Sequence, residues 1–310
     1  MDEIVVGLDV SKDFIDGWIL PSGESFRDSN DEPGLARLRD RLVVLMPGCV
    51  GMETTGGYET AAAAELAGAG LRVSVVNPAQ VAAFGHALGK RAKTDRIDAE
   101  KIARFCAAIG PRCAPLPDEQ TRRLADLVAR RRQIIRMRGG ERQRLSMARE
   151  AWLKKSLKRI IAALAAELEA IDEEIDGAVR ASPIWRVRED LLTSVPGVGK
   201  ITARTLLAEM PELGQLDRHS VASLAGLAPF TRQSGTWRGK SFIGAGRASV
   251  RTALYMAALV AARHNPTLRT VYKRLVETGK PKLVALIAVA RKLLVILNAI
   301  VRDQKPWQNA

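Results

Sequence analysis

Residues 4–27 read IVVGLDVSKDFIDGWILPSGESFR, and this stretch decides the fold. Its first seven residues are a β-branched, apolar run interrupted only near its end by Asp9, as expected of a buried strand. The SKD triplet at 11–13 is a tight turn, 14–20 resumes the apolar pattern, and Pro21-Ser22-Gly23 sets off a short third strand over 24–27. Pro33 then opens a helical pattern with Leu35, Leu38, Leu42 and Leu45 on one face. A strand over 49–53, an Ala-rich helix over 58–69, a strand over 71–76 and helices over 78–88 and 95–108 follow. Three strands in a meander, then alternating helices and strands, predict a mixed sheet covered by helices: an α/β domain over residues 1–115.

Beyond it the pattern turns helical. Residues 118–179 read as one long helix or a helical hairpin, an antiparallel coiled-coil excursion within a region spanning 116–185. Gly139-Gly140 interrupts it; two interior glycines cost about 2 kcal/mol relative to alanines, which predicts a kink or corner there. Residues 186–310 form an all-α unit, with helices near 190–194, 201–210, 219–226, 247–264, 267–278 and 281–303. Between the first two of these, Pro196-Gly197-Val198-Gly199-Lys200 has the form of a helix-hairpin-helix element. There, small residues admit a phosphate close to the backbone, and the following helix N-terminus offers aligned N–H donors. Gly199-Lys200 does not make a P-loop, because Ser194 and Ile201 stand where that motif needs Gly and Ser or Thr. Gly244-Ala245-Gly246 lacks the preceding strand of a dinucleotide site.

Charge narrows the function. The 310 residues carry 48 Lys+Arg against 34 Asp+Glu, a net +14, while 47% hydrophobic residues exclude wholesale disorder. The sign is divided along the chain: residues 1–120 hold 13 basic and 18 acidic residues, whereas 121–310 hold 35 and 16. The excess is densest over 121–160, with 14 basic against 3 acidic residues. Arg122, Arg123, Arg130, Arg131, Arg132, Arg136, Arg138, Arg142, Arg144 and Arg149 carry most of it. A solvated helix face with that charge would repel itself; a polyphosphate neutralises it and releases counterions, so nucleic acid is the expected partner. Three cysteines (49, 106 and 113) without paired spacing exclude a disulfide scaffold or zinc ribbon and suit a reducing compartment. The N-terminus lacks a signal peptide's basic flank, and the longest apolar candidate, 253–262, is closed by Arg251 and Arg263. The expectation is a soluble cytoplasmic protein with no membrane partner.

Four carboxylates stand out by position. Asp9 closes the first strand, Glu53 closes the strand over 49–53, and Asp95 and Asp98 share one face at the start of a helix. Converging at one sheet edge, four oxygen donors suffice for two Mg²⁺ ions, with Mn²⁺ as the alternative, about 3.5–4 Å apart for a phosphoryl displacement. No His or Cys cluster accompanies them, which disfavours zinc. Each acid has a plainer alternative: Asp95 or Asp98 as a helix cap, Asp9 as an Asx-turn residue. Glu53 is harder to dismiss, since an acid closing an apolar strand is costly unless paired or ligated.

The stretches GLDVSKD (7–13), METTGGYE (52–59), the segment 77–103 around KTDRIDAE, PGVGKITARTLLAEMPELG (196–214) and the segment 224–266 around FTRQSGTWRGK closely resemble the DEDD-type insertion-sequence transposases. Characterised members of that family are bridge-RNA-guided recombinases. The resemblance implies an RNase H-like, RuvC-like first domain with its DEDD tetrad on Asp9, Glu53, Asp95 and Asp98. It implies a nucleophilic serine at Ser234, in the polar loop 231–240 that also carries Arg232, Arg238 and Lys240. On spacing alone Ser234 is only a turn serine, and none of His86, His219 and His264 neighbours it in sequence. The metal site would then assist the serine in a composite site whose halves come from different protomers, with the three basic residues steadying the phosphorane charge.

The expected activity is that of a DNA transposase or recombinase. Strand exchange would proceed through a covalent phosphoserine, on element ends and target, with a structured guide RNA, as a homodimer or tetramer. Arg122, Arg123, Arg130, Arg131, Arg132 and Arg136, with Gly197, Gly199 and Lys200, would hold nucleic acid. A metal-dependent resolvase-like nuclease using water as nucleophile is the alternative, and a binding scaffold without chemistry is a second.

Overall fold

The computed structural model describes residues 3–89, 94–111 and 118–308, and divides into two compact units, Met1–Leu116 and Pro117–Ala310. In the first, β1 (Val5–Val10), β2 (Phe14–Leu20) and β3 (Ser25–Ser29) form an antiparallel meander. β4 (Cys49–Glu53) joins the other edge of β1 in parallel, and β5 (Val73–Val76) joins β4 in parallel, giving the order β3-β2-β1-β4-β5. α1 (Glu32–Leu45) and α2 (Glu59–Gly68) supply Leu38, Leu42, Ala62, Ala63 and Leu66 against Val6, Leu8, Ile15, Val50 and Met52 on one sheet face. α3 (Pro78–Ala87) and α4 (Asp95–Ile109) cover the opposite face, where Val81, Ile102, Phe105 and Cys106 pack with Val5 and Val76. This mixed sheet under helices is compatible with the RNase H-like domain that the resemblance implies.

The placement of α4 follows from two glycines. Gly7 and Gly51 are paired across β1 and β4. A Cβ at Gly7 would overlap the Ala99 carbonyl oxygen and Ala103 nitrogen, and one at Gly51 would overlap the Cys106 sulfur. The helix backbone therefore lies directly on the sheet, where only glycine admits it. Gly7→Ala is expected to destabilise this unit by about 1–3 kcal/mol or more, because the clash is with backbone that cannot rotate away. Thermal unfolding of the purified variant checks this, and an unchanged Tm would contradict the packing.

In the second unit α5 (Glu119–Met147) and α6 (Ala151–Ala181) form an antiparallel hairpin. The corner expected at Gly139-Gly140 is not there. α5 runs through both glycines as one helix, and the chain reverses at residues 148–150. The glycine cost is spread over a 29-residue helix that already packs along α6. Leu124, Val128, Ile134, Leu168, Ile175 and Val179 share one core with the helices that follow. Those are α7 (Pro183–Thr193), α8 (Lys200–Glu209), α9 (Arg218–Leu224), α10 (Ala248–His264), α11 (Pro266–Glu277) and α12 (Lys282–Asp303). α7 begins well before the expected residue 190, because Ser182 caps it at the Trp185 N–H and Pro183 pre-sets its first turn.

One helix among the described residues, α12, is long and apolar enough to span a membrane. This differs from the sequence reading, in which 253–262 is the longest apolar candidate. Apart from Lys282, Arg302 and Asp303 at its ends, its charges are the adjacent Arg291 and Lys292, which leave apolar runs on both sides. Leu293, Leu294, Leu297 and Val301 are nevertheless buried in the core, and buried Asn298 bonds the Gly214 N–H and the Leu216 carbonyl at 2.8 and 2.7 Å.

Candidate functional site

In the first unit, Asp9 and Glu53 each follow the last paired rung of β1 and β4, Leu8 opposite Met52. Side chains alternate along strands, so both acids stand on the same sheet face as Gly7 and Gly51, the face under α4. Asp95 and Asp98 occupy the first turn of α4. The strand ends and the helix start thus bring all four acids to one end of one face.

The plainer duties are done by neighbours. α4 is capped by Thr94, whose hydroxyl accepts from the Ile97 N–H at 3.3 Å, not by Asp95 or Asp98. The turn after β1 is tied by Ser11, which bonds the backbone of Phe14 in both directions. The turn after β4 is tied by Glu59, which accepts from the Thr55 and Gly57 N–H groups and the Thr55 hydroxyl.

Sequence reasoning missed three participants. Asp16 sits directly opposite Asp9 in the β1–β2 register, a like-charge pairing that destabilises a sheet unless a cation relieves it. Arg27, opposite Asp16 on β3, supplies that charge through two hydrogen bonds of 2.9 and 2.8 Å and reaches on to Asp95 at 3.0 Å. Asp16, and more weakly Asp95, raise the Arg27 guanidinium above its ordinary value. Lys101 binds Asp98 at 2.8 Å. The signal for Asp16 and Arg27 was period two: once 14–20 and 24–27 are strands, the turn lengths set Asp16 opposite Asp9 and Arg27 opposite Asp16.

A hard, all-oxygen donor set already drawing two cations fits a divalent ion in kind. Among the described residues, no three Asp, Glu, His or Cys side chains converge closely enough to hold an ion as they stand. An ion would take the places that Arg27 and Lys101 now hold on Asp95 and Asp98.

In the second unit the arginines divide. Arg131 makes a two-point pair with Asp172 of α6 at 2.5 and 3.1 Å, Arg132 pairs with Glu209 of α8, and Arg123 pairs with Glu174 at 3.2 Å. These three, expected on nucleic acid, are thus wholly or partly engaged within the helical unit, and Arg122 is half-buried with its Nε buried and without a hydrogen-bond partner among the described residues. Arg130 and Arg136 are exposed, and on the same hairpin Lys154, Lys155, Lys158 and Arg159 line a shallow open groove of α6.

The 195–199 turn divides too. Gly197 (φ +106°) is a packing glycine: an added Cβ would lie 2.7 Å from the Ala261 backbone of α10. Gly199, with nothing within 4 Å of its open face, and Lys200 are exposed at the α8 N-terminus, where no side chain caps the helix. The polar loop is a small hairpin rather than irregular chain. β6 (Gln233–Ser234) pairs with β7 (Trp237–Arg238), and Gly235 (φ +56°) with Thr236 forms the two-residue turn. Ser234 is exposed beside that turn. Arg232 and Lys240 are exposed on its flanks.

Two family models match the chain. A DEDD transposase model of the IS110 type, described as "Transposase", covers residues 6–148, and one described as "Transposase IS116/IS110/IS902 family" covers residues 189–273. The pilin gene-inverting protein of Moraxella lacunata is 32% identical over 265 residues, 83% of this chain and 80% of that relative. The chain belongs to the IS116/IS110/IS902 transposase family. The pilin gene-inverting protein of Moraxella bovis is 33% identical over 245 residues, 76% of this chain and 74% of its own. The uncharacterized 43.6 kDa protein of insertion element IS110 from Streptomyces coelicolor is 33% identical over 150 residues, 48% of this chain and 36% of its own.

As a member of this transposase family the protein is a DNA-binding DNA transposase, and its DEDD domain implies dependence on a divalent metal. The 6–148 match includes all four acids; the 189–273 match includes the 195–199 turn and the Ser234 hairpin. The division of arginines makes a prediction for the transposase. Arg136→Ala lowers the slope of log affinity for duplex DNA against log salt by about one and leaves Tm unchanged. Arg131→Ala costs about 1 kcal/mol of stability instead, because it strands Asp172. Anisotropy titrations across salt, beside melting curves, check this; the reverse pattern would contradict it.

Proposed function

We propose that this transposase cuts and rejoins DNA strands with Ser234 as the nucleophile and the Asp9, Glu53, Asp95 and Asp98 carboxylates as the seat of Mg²⁺, or Mn²⁺ in its place. The observation that carries this reading is Ser234 itself: an exposed hydroxyl beside a glycine turn, on a hairpin with no acidic residue from 228 to 248. Approaching phosphate meets no repelling carboxylate there, and Arg232 and Lys240 favour it.

The Ser234 oxygen forms its bond to phosphorus as the bond to the 3′ oxygen breaks. The product is a serine joined to the 5′ phosphate and a free 3′-hydroxyl, which accepts the proton. Attack of that hydroxyl on a partner phosphoserine restores the serine and reseals the strand, so phosphodiester bonds are conserved and no external energy source is needed. The divalent ion, when bound, neutralises phosphate charge and makes the hydroxyl easier to ionise. Arg232, Arg238 and Lys240 balance the charge that develops on the phosphorus oxygens.

The reading extends to a structured guide RNA that chooses element ends and target by base pairing, and to a homodimer or tetramer. Exposed Arg130, Arg136, Gly199 and Lys200 hold nucleic-acid backbone in it. Support comes from the long basic hairpin, whose cations suit an RNA or DNA backbone without reading its sequence. Purification from a host carrying the flanking element DNA, followed by sequencing of bound RNA, is expected to recover one discrete transcript. Recovery of no discrete RNA would remove guidance while leaving the strand chemistry intact.

A further inference from the structure

Two aromatic rings stand at the base of the Ser234 hairpin. Phe230 and Phe242 are joined by a bridge in which each donates its N–H to the other's carbonyl, at 2.7 and 3.1 Å. Their rings stack with centroids 5.7 Å apart and planes 25° apart, and they remain 46% and 45% exposed. The Arg232 guanidinium lies 5.1 Å from the Phe242 centroid. Ile243, the next residue, packs on the helical core, whereas the two phenylalanines stay outside it. Thr231 and Ser241 share a 3.2 Å hydrogen bond in the rung above, which fixes the rings relative to the strand leading to Ser234.

An exposed pair of rings, edged by cations and without an acidic neighbour in sequence, has the chemistry of a base-stacking platform. A nucleobase offers a flat face for the rings, and its flanking phosphates suit Arg232 and Lys240. Three residues separate Phe230 from Ser234, at most about 14 Å of extended chain, so a base held there lies near the phosphodiester that the serine addresses. We propose that Phe230 and Phe242, with Arg232, hold one unstacked DNA base near the scissile phosphate and so help position the strand for Ser234. This deepens the serine reading and rests on it.

The test uses the full-length protein carrying Ser234→Ala, which binds without reacting, and a short single-stranded DNA from the element end containing 2-aminopurine. Binding is expected to quench the 2-aminopurine. Adding Phe230→Leu and Phe242→Leu removes the quench and weakens binding about fivefold to a hundredfold, while Phe242→Tyr preserves both. Melting curves confirm that the leucine variant is folded, since leucine keeps apolar bulk in the hairpin. Unchanged quenching and affinity in the leucine variant would overturn the platform, as would quenching of an RNA of the same sequence but not of the DNA. If the platform fails while the wild type still forms a covalent serine adduct, the serine reading stands; if quenching is as expected but no adduct forms, the serine reading alone is lost.

Discussion

Ser234→Ala is expected to reduce DNA strand cleavage at least a thousandfold while leaving DNA affinity and Tm unchanged. A covalent nucleophile contributes steps that nothing else replaces, and removing one from a serine enzyme costs several orders of magnitude, about 10⁶-fold in a well-studied case. The hairpin tolerates the change: Ser234 is exposed, its pairing with Trp237 is through backbone, and its side chain carries no hydrogen bond among the described residues. Ser234→Cys is a useful companion, because a thiolate can attack phosphorus weakly and form a trapped thioester of phosphate. Should Ser234→Ala cleave at a near-normal rate, water is the nucleophile and the protein is a metal-dependent nuclease of resolvase type.

Asp9→Asn together with Glu53→Gln is expected to abolish cleavage to a similar degree without loss of DNA binding. Several kcal/mol of transition-state charge stabilisation by a divalent ion corresponds to about a thousandfold or more. The same variant makes a second, independent statement about stability. Asp9 faces Asp16 across the β1–β2 pair, and Arg27 is already divided between Asp16 and Asp95. With millimolar Mg²⁺ or Mn²⁺ the wild-type Tm rises, since an ion that binds only the folded state stabilises it, and the variant Tm does not. A variant that cleaves normally, or whose Tm responds to the ion as the wild type does, would show that these acids are not the seat.

Much of the first unit was legible because its strands are short, β-branched and bounded by turn residues. Residues 14–20 and 49–53 came out with the bounds that β2 and β4 have. The acids at strand ends and at the helix start were legible as positions. Their neighbours were not, because Asp16 and Arg27 become part of the site only through strand pairing, a contact 11 residues apart in sequence that composition does not announce. The glycine pair in α5 misled for a related reason: local propensity sets a cost of about 1 kcal/mol per glycine, but packing along α6 outweighs it. The arginines show the other limit. Sequence counted their charge correctly, yet whether a guanidinium meets Asp172, Glu209 or solvent depends on helix phase over distances of 41 and 77 residues. The hairpin at Ser234 read as loop because its strands are two residues each, too short to show a period.

The most direct test of the central claim is the chemical identity of the cleavage intermediate. Reaction of the wild-type protein with element-end DNA in Mg²⁺, quenched by denaturation, nuclease-trimmed and digested with trypsin, is expected to yield the peptide Gln233–Arg238 carrying a 5′-linked nucleotide on Ser234. Cleaved DNA bearing an unmodified 5′ phosphate, with that peptide recovered unmodified throughout the reaction, would contradict the account.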